Sequence, residues 1–215
     1  MTSRLTLESY AAQAARWPAE GRHILAQHDA DTVVVYQAYR PSIGAAAVAD
    51  GRLGGGGFSL SRMSWIKTNF LWMMFRSGWG TKADQEVTLA IRLKREGFEA
   101  ILASAVASKF HPEQFATEQD WERAVKTSDV RLQWDPDHNP SGNPVTRRAV
   151  QLGLRGAALQ RFVAEWTVDL EDISAFVAEQ REQRDSRLVT PRETVYVPQP
   201  AGAARLGVDP APAEA

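Results

Sequence analysis

Between Gly51 and Ala83 the chain carries five cations, Arg52, Arg62, Lys67, Arg76 and Lys82, and no carboxylate. Lys67, Arg76 and Lys82 stand close to Trp65, Trp72 and Trp79, three of the seven tryptophans of the sequence. In a chain of net charge −1, such a local excess calls for a counter-anion, supplied either by the acidic C-terminal third or by a ligand. Arg and Lys suit phosphate, and a guanidinium can hold one while stacking on an aromatic face. A second acid-free stretch, 138–164, carries Arg147, Arg148, Arg155 and Arg161. The two stretches are expected to converge on one concave anion site.

Three further groups of polar residues stand where elements begin or end. Tyr36-Gln37-Ala38-Tyr39-Arg40 closes a predicted strand just before Pro41. Ser59 and Ser61 follow the four glycines Gly54 to Gly57, a run that lets backbone N–H groups approach a phosphate or simply forms a flexible loop. It lacks both the G-K-[ST] ending of a P-loop and the G-x-G-x-x-G spacing. Glu86 opens a strand directly after the basic aromatic segment, four residues beyond Lys82. It either lines a cleft or neutralises Lys82 or Arg76.

Other chemistries find little footing. The absence of cysteine excludes disulfide scaffolds, thiolate zinc sites and cysteine catalysis. The four histidines are scattered, and Asp135-Pro136-Asp137-His138 reads as turn chemistry, so no metal is expected. No serine sits in G-x-S-x-G.

The elements that must position these residues are legible in outline. Phe70 to Phe75 is apolar on every side, which predicts a buried helix with Asn69 as N-cap and Gly78 as its stop. TVVVYQA (32–38) is a buried strand, PSIGAAAVADG (41–51) a helix, and EVTLAIRL (86–93) alternates as a half-buried strand. A short amphipathic helix is expected over 5–16, then a helix over 94–108, a helical turn near 121–125 and a strand over 130–134 running into a loop. Beyond it follow an extended segment ending at Gly156, a helix over 157–166, a strand over 167–170, a helix over 173–184 and an edge strand over 194–198. This order predicts an α+β fold, a bent mixed or antiparallel sheet with packed helices in a single domain over 22–200. Residues 1–21 form an N-terminal helix or extension, and 201–215 read as a disordered tail from their Ala/Pro/Gly content. With no apolar run of membrane-spanning length and no apolar leader near Arg4 and Glu8, a soluble cytoplasmic protein is expected.

Two resemblances sharpen these expectations. The phrases TVVVYQAYRPSI, MSWIKTNFLWMMFRSGWGTKADQE, LAIRLKREGFE, LQWDPD and RRAVQLGLRG resemble the bacterial and fungal domain-of-unknown-function family four-two-nine-one, over about Arg22 to Val177. Thr68-Asn69 departs from that family's usual Pro-Ser. The family implies kinship and no activity. In layout, the Tyr36–Tyr39 strand end followed by a helix, the serines after the glycines, and Asp84-Gln85-Glu86-Val87 are similar to ADP-ribosyltransferase folds. That resemblance implies an NAD-using transferase with Glu86 as the carboxylate that steadies an oxocarbenium-like state, and with Tyr36, Gln37, Ser59 and Ser61 around it. The cofactor would then be held by Tyr39, Arg40, Lys67, Trp72, Arg76, Lys82, Arg147 and Arg148. The strand-one His or Arg of those folds is missing unless Gln37 or Arg40 substitutes. A different reading makes the tryptophans stacking platforms for RNA or single-stranded nucleic acid, and a third makes the whole motif core with no catalytic role.

Overall fold

The computed structural model describes residues 4–183 and 187–210. The chain begins with β1 (Leu7–Ser9), α1 (Tyr10–Ala14), β2 (Gly21–Arg22) and β3 (Ile24–Ala26). Its central part comprises β4 (Thr32–Tyr39), α2 (Pro41–Asp50), β5 (Ser64–Lys67), α3 (Phe70–Ser77), β6 (Val87–Lys94), α4 (Arg95–Ala103) and β7 (Ala105–Ala107). There follow α5 (Glu118–Thr127), β8 (Val130–His138), β9 (Pro144–Leu154) and α6 (Gly156–Arg161), the last continued by a π-helical turn over Phe162–Trp166. β10 (Thr167–Asp172), α7 (Ser174–Arg181), β11 (Val189–Pro191), β12 (Thr194–Tyr196) and α8 (Pro200–Leu206) complete it.

Seven strands form the main path of one sheet in the order β10-β6-β4-β5-β9-β8-β7, with β2 added in parallel to β9. Most pairs are antiparallel, β7–β8 being parallel. The fold is therefore α+β with a mixed sheet, as the element order predicts. β4 and β6 are neighbours along their whole length, from Thr32↔Lys94 to Tyr39↔Val87.

Alternation along β4 divides two cores. Val33 and Val35 join Leu89, Ile91, Leu93, Phe98 and Ile101 on one side. Val34 and Tyr36 join Phe70, Met73 and Met74 of α3 on the other. Because Ala90 and Thr88 are also buried, β6 is covered on both faces, where the alternating pattern predicts a half-buried strand. Small and hydroxylated residues occupy the second face because α3 and α7 approach it closely.

Other departures have local causes. Residues 5–16 divide into a strand and a short helix, since Leu7–Ser9 pairs with Val189–Pro191. The helix expected over 94–108 stops at Ala103, and Ala105–Ala107 turns into an edge strand on β8. The segment read as a disordered tail is helical over Pro200–Leu206, punctuated by Pro200 at its start and by Gly207 in the left-handed region (φ 59°). Leu206 is buried and its carbonyl accepts the Trp134 indole N–H at 2.9 Å. Residues 211–215 of that tail lie outside the described residues.

Gly97 marks a close helix contact: a Cβ there would stand 2.3 Å from Trp166 Cγ. Gly97→Ala is expected to cost about 1–3 kcal/mol through overpacking, read as a lower midpoint in chemical denaturation. An unchanged midpoint would show that α4 and the π-helical turn can separate freely.

Candidate ligand-binding cleft

The sheet parts at its centre. β4 and β5 share one paired position, Tyr36↔Lys67. Beyond it Gln37, Ala38 and Tyr39 stay on β6, while Ser64, Trp65 and Ile66 stay on β9. Side chains bridge the gap instead of backbone. Gln37 Nε2 donates to Ser64 Oγ at 2.7 Å and to the Trp65 carbonyl at 3.2 Å, and Tyr39 Oη and Ser64 Oγ share a hydrogen bond of 2.9 Å. A cavity of about 440 Å³ opens at this parting, between the end of β4, the Gly57–Ser59 loop, β5 and α3.

Four cations line it, Arg40, Arg62, Lys67 and Arg76, against a single carboxylate, Asp84. Among the described residues none of the four forms an ion pair. The Lys67 side chain donates no hydrogen bond either, although it is only 6% exposed. Burial, reinforced by the Arg76 charge and opposed by Asp135, lowers its pKa from 10.5 to about 8. A buried ammonium beside a guanidinium is costly on its own and becomes favourable beside an anion. The arrangement can therefore hold a phosphate-like charge.

The α3 helix sets the geometry of this wall. Asn69 Oδ1 accepts the Trp72 N–H at 2.7 Å, and Glu193, remote in sequence, accepts the Phe70 N–H at 2.6 Å. The helix ends at Gly78 in the left-handed region, leaving Arg76 exposed on the last turn. Gly57 allows the Arg40 guanidinium to lie against the loop, since a Cβ there would stand 2.4 Å from it.

The predicted residues separate into two groups. Gln37, Tyr39, Arg40, Ser59, Lys67 and Arg76 meet in the cleft. Tyr36 does not: alternation turns it under α3, fully buried, with its ring edge-on to Phe70 at 5.7 Å. Ser61 is exposed and hydrogen-bonds Ser59 at 2.9 Å. Glu86 is exposed outside the cavity lining, where its Oε1 accepts the Asp84 N–H at 3.0 Å. That bond supports Asp84 in the left-handed region (φ 62°), and Asp84 presents the carboxylate instead. Lys82 neither lines the cleft nor pairs with Glu86; its Nζ caps α3 by donating to the Arg76 carbonyl at 2.6 Å.

The two basic stretches do not converge. Arg147 is buried on Asp137, with Nε and a terminal nitrogen donating to Oδ2 at 2.9 and 2.6 Å, and a further bond to the Pro18 carbonyl at 2.6 Å. Arg155 caps carbonyls at the end of α5, and Arg161 pairs with Glu165 at 2.9 Å. Arg148 is exposed on β9, outside the cleft. Arg147, Arg155 and Arg161 thus find acceptors within the fold, and no cation of the second stretch lines the cleft.

A second lobe of about 330 Å³ adjoins the first and shares Trp65, Lys67 and Arg76 with it. Trp72 lines this lobe, packed in parallel on Phe75 at 5.5 Å and on His138 at 5.2 Å. Its remaining lining comes from Gln133, Asp135 and Gln151; sequence reasoning missed the two glutamines and read Asp135 only as turn chemistry. The alternation of polar side chains in LQWD and AVQLG was the available signal, and strand pairing across seventeen intervening residues was needed to join them. Arg62 was counted among the cations without being placed, Ser64 went unremarked, and Asp84 was read only as part of the Asp84-Gln85-Glu86-Val87 motif. Among the described residues no cluster of metal-ligating side chains is present, and no helix is long and apolar enough to cross a membrane.

A family model described as "Domain of unknown function (DUF4291)" matches residues 23–199, and the chain belongs to that family. No curated protein matches the chain.

Proposed function

We propose that this DUF4291 protein binds a small phosphate-bearing ligand of the nucleotide class, NAD among the candidates, in the cleft where β4 and β5 part. The observation that carries the reading is Lys67: a buried amine without a partner, beside Arg76 and within a cleft lined by Arg40 and Arg62. A purely structural cation would find a carboxylate, as Arg147 does in Asp137.

Transfer of an ADP-ribosyl group is the enzymatic extension of this reading. The bond from the nicotinamide nitrogen to the anomeric carbon breaks, nicotinamide leaves with the bonding pair, and water or another nucleophile bonds to that carbon and gives up its proton. A carboxylate is required beside the developing cation. Asp84 lines the cleft and Glu86 holds its backbone, so the electrostatic role falls to Asp84 and the positioning role to Glu86. Nucleic-acid stacking draws less support, because Trp72 and Trp79 are buried and stacking platforms must be open.

The test is thermal unfolding and calorimetry of the full chain with NAD, ADP-ribose, adenosine monophosphate, inorganic phosphate and a short oligonucleotide, each at two ionic strengths. A ligand at one hundred times its dissociation constant stabilises by about 2.7 kcal/mol. Phosphate ligands that do no better than matched chloride would overturn the reading, and tight, steeply salt-dependent oligonucleotide binding alone would replace it. If NAD is hydrolysed, Asp84→Asn is expected to slow it at least 100-fold, about 2.7 kcal/mol in the barrier. Glu86→Gln should have the smaller effect. The reverse order would return the carboxylate role to Glu86.

A further inference from the structure

We infer that the second lobe is a ring subsite for a heteroaromatic base carrying an exocyclic amino group beside a ring-nitrogen acceptor; this rests on the nucleotide reading above. Gln133 and Gln151 are directly opposed on β8 and β9, and Asp135 stands two residues beyond Gln133 on the same face. Asp135 Oδ1 accepts from Gln133 Nε2 at 3.0 Å, and Oδ2 accepts from Gln151 Nε2 at 2.6 Å.

An ionised carboxylate only accepts, so both amide nitrogens must face Asp135 and both Oε1 atoms must face away from it. Among the described residues neither Oε1 receives a hydrogen bond. Asp135 therefore fixes two neighbouring acceptors in place at the floor of the lobe. Trp72 also lines the lobe, and its buried indole N–H, without a partner among the described residues, is the donor assigned to the ligand. A site with two fixed acceptors and one dry donor matches an edge that donates through an amino group and accepts through a ring nitrogen.

Two indoles in the lining, Trp65 and Trp72, favour a ring over a bare sugar. Trp65 lies across Gly153, where a Cβ would stand 3.0 Å from its ring, and it borders both lobes. Lys67 and Arg76 stand at the junction, which places a phosphate between a base in this lobe and the rest of the ligand in the wedge. An amide pair clamped by a carboxylate is also preorganised, so little ordering remains for binding to accomplish.

Calorimetry of the full chain with adenosine monophosphate, inosine monophosphate, ribose 5-phosphate and inorganic phosphate tests this. Adenosine monophosphate is expected to bind at least about tenfold more tightly than the other three, and Gln151→Leu or Gln133→Leu to erase that preference while ribose 5-phosphate affinity stays unchanged. The wild-type panel decides even if a variant fails to fold. Equal affinity for adenosine monophosphate, inosine monophosphate and ribose 5-phosphate would overturn the ring subsite and leave the phosphate reading intact. Tighter binding of inosine monophosphate would overturn the amino-group specificity. Binding of none of the four would overturn both readings.

Discussion

Lys67→Met is expected to raise thermal stability and weaken phosphate binding at the same time. The shift from 10.5 to about 8 corresponds to roughly 3 kcal/mol against the charged form in the folded state. The sign follows from linkage. Below pH 8 the amine is charged both folded and unfolded, and the penalty is present in full. Between about 8 and 10.5 the folded amine is neutral while the unfolded one stays charged, and the penalty is released as pH rises. Methionine fills a similar volume without charge, so the gain should be largest at neutral pH and vanish near pH 10.5. For a domain of this size each kcal/mol shifts the melting temperature by about 2–4 °C. Anion affinity of the unaltered protein should weaken as pH rises through about 8, where Lys67 loses its proton, leaving Arg40, Arg62 and Arg76. Melting curves and calorimetry across pH 6–10 read both effects. A Lys67→Met protein that is less stable, or that still binds phosphate with full affinity, would show that this amine is a structural group.

The basic aromatic segment was legible because composition alone marks it: five cations without a carboxylate cannot be neutralised locally. The helix at its centre was equally clear, since six consecutive apolar residues bounded by Asn69 and Gly78 leave no other element. Side-chain direction separated success from error. Gln37 and Tyr36 are adjacent in sequence, yet alternation sends one into the cleft and the other under α3. Knowing which requires knowing which face of β4 meets α3, a tertiary fact. Arg147 and Arg76 look alike in sequence, each in an acid-free stretch. Asp137 is ten residues from Arg147 and reaches it only because β8 and β9 form a hairpin. The Asp84–Glu86 exchange has a similar cause: the left-handed Asp84 backbone reverses the expected orientation within three residues. The parting of β4 from β5, on which the whole site depends, leaves no mark in local propensity. It arises because each strand is held more extensively by its outer neighbour.

Asp137→Ala is expected to destabilise the fold by about 3–5 kcal/mol, the usual cost of leaving a buried charge without its partner. Asp137 is almost fully buried, and Arg147, the partner it would strand, is scarcely more exposed. The guanidinium also donates to the Pro18 carbonyl and lies over the Trp17 ring, 5.2 Å from its centroid, so it ties the N-terminal segment to β9. Arg147→Met should likewise destabilise, since it leaves Asp137 as a buried anion with only the His138 N–H, at 2.7 Å, to accept. The double variant Asp137→Ala with Arg147→Met is expected to be more stable than either single one, because no unpaired charge remains. Denaturant midpoints of the four proteins close this cycle. Phosphate and nucleotide affinities, measured under conditions where each variant is folded, should stay at the unaltered value, because Arg147 lies outside both lobes of the cleft. An Arg147→Met protein of normal stability that no longer binds ligand would reverse the assignment and return Arg147 to the anion site.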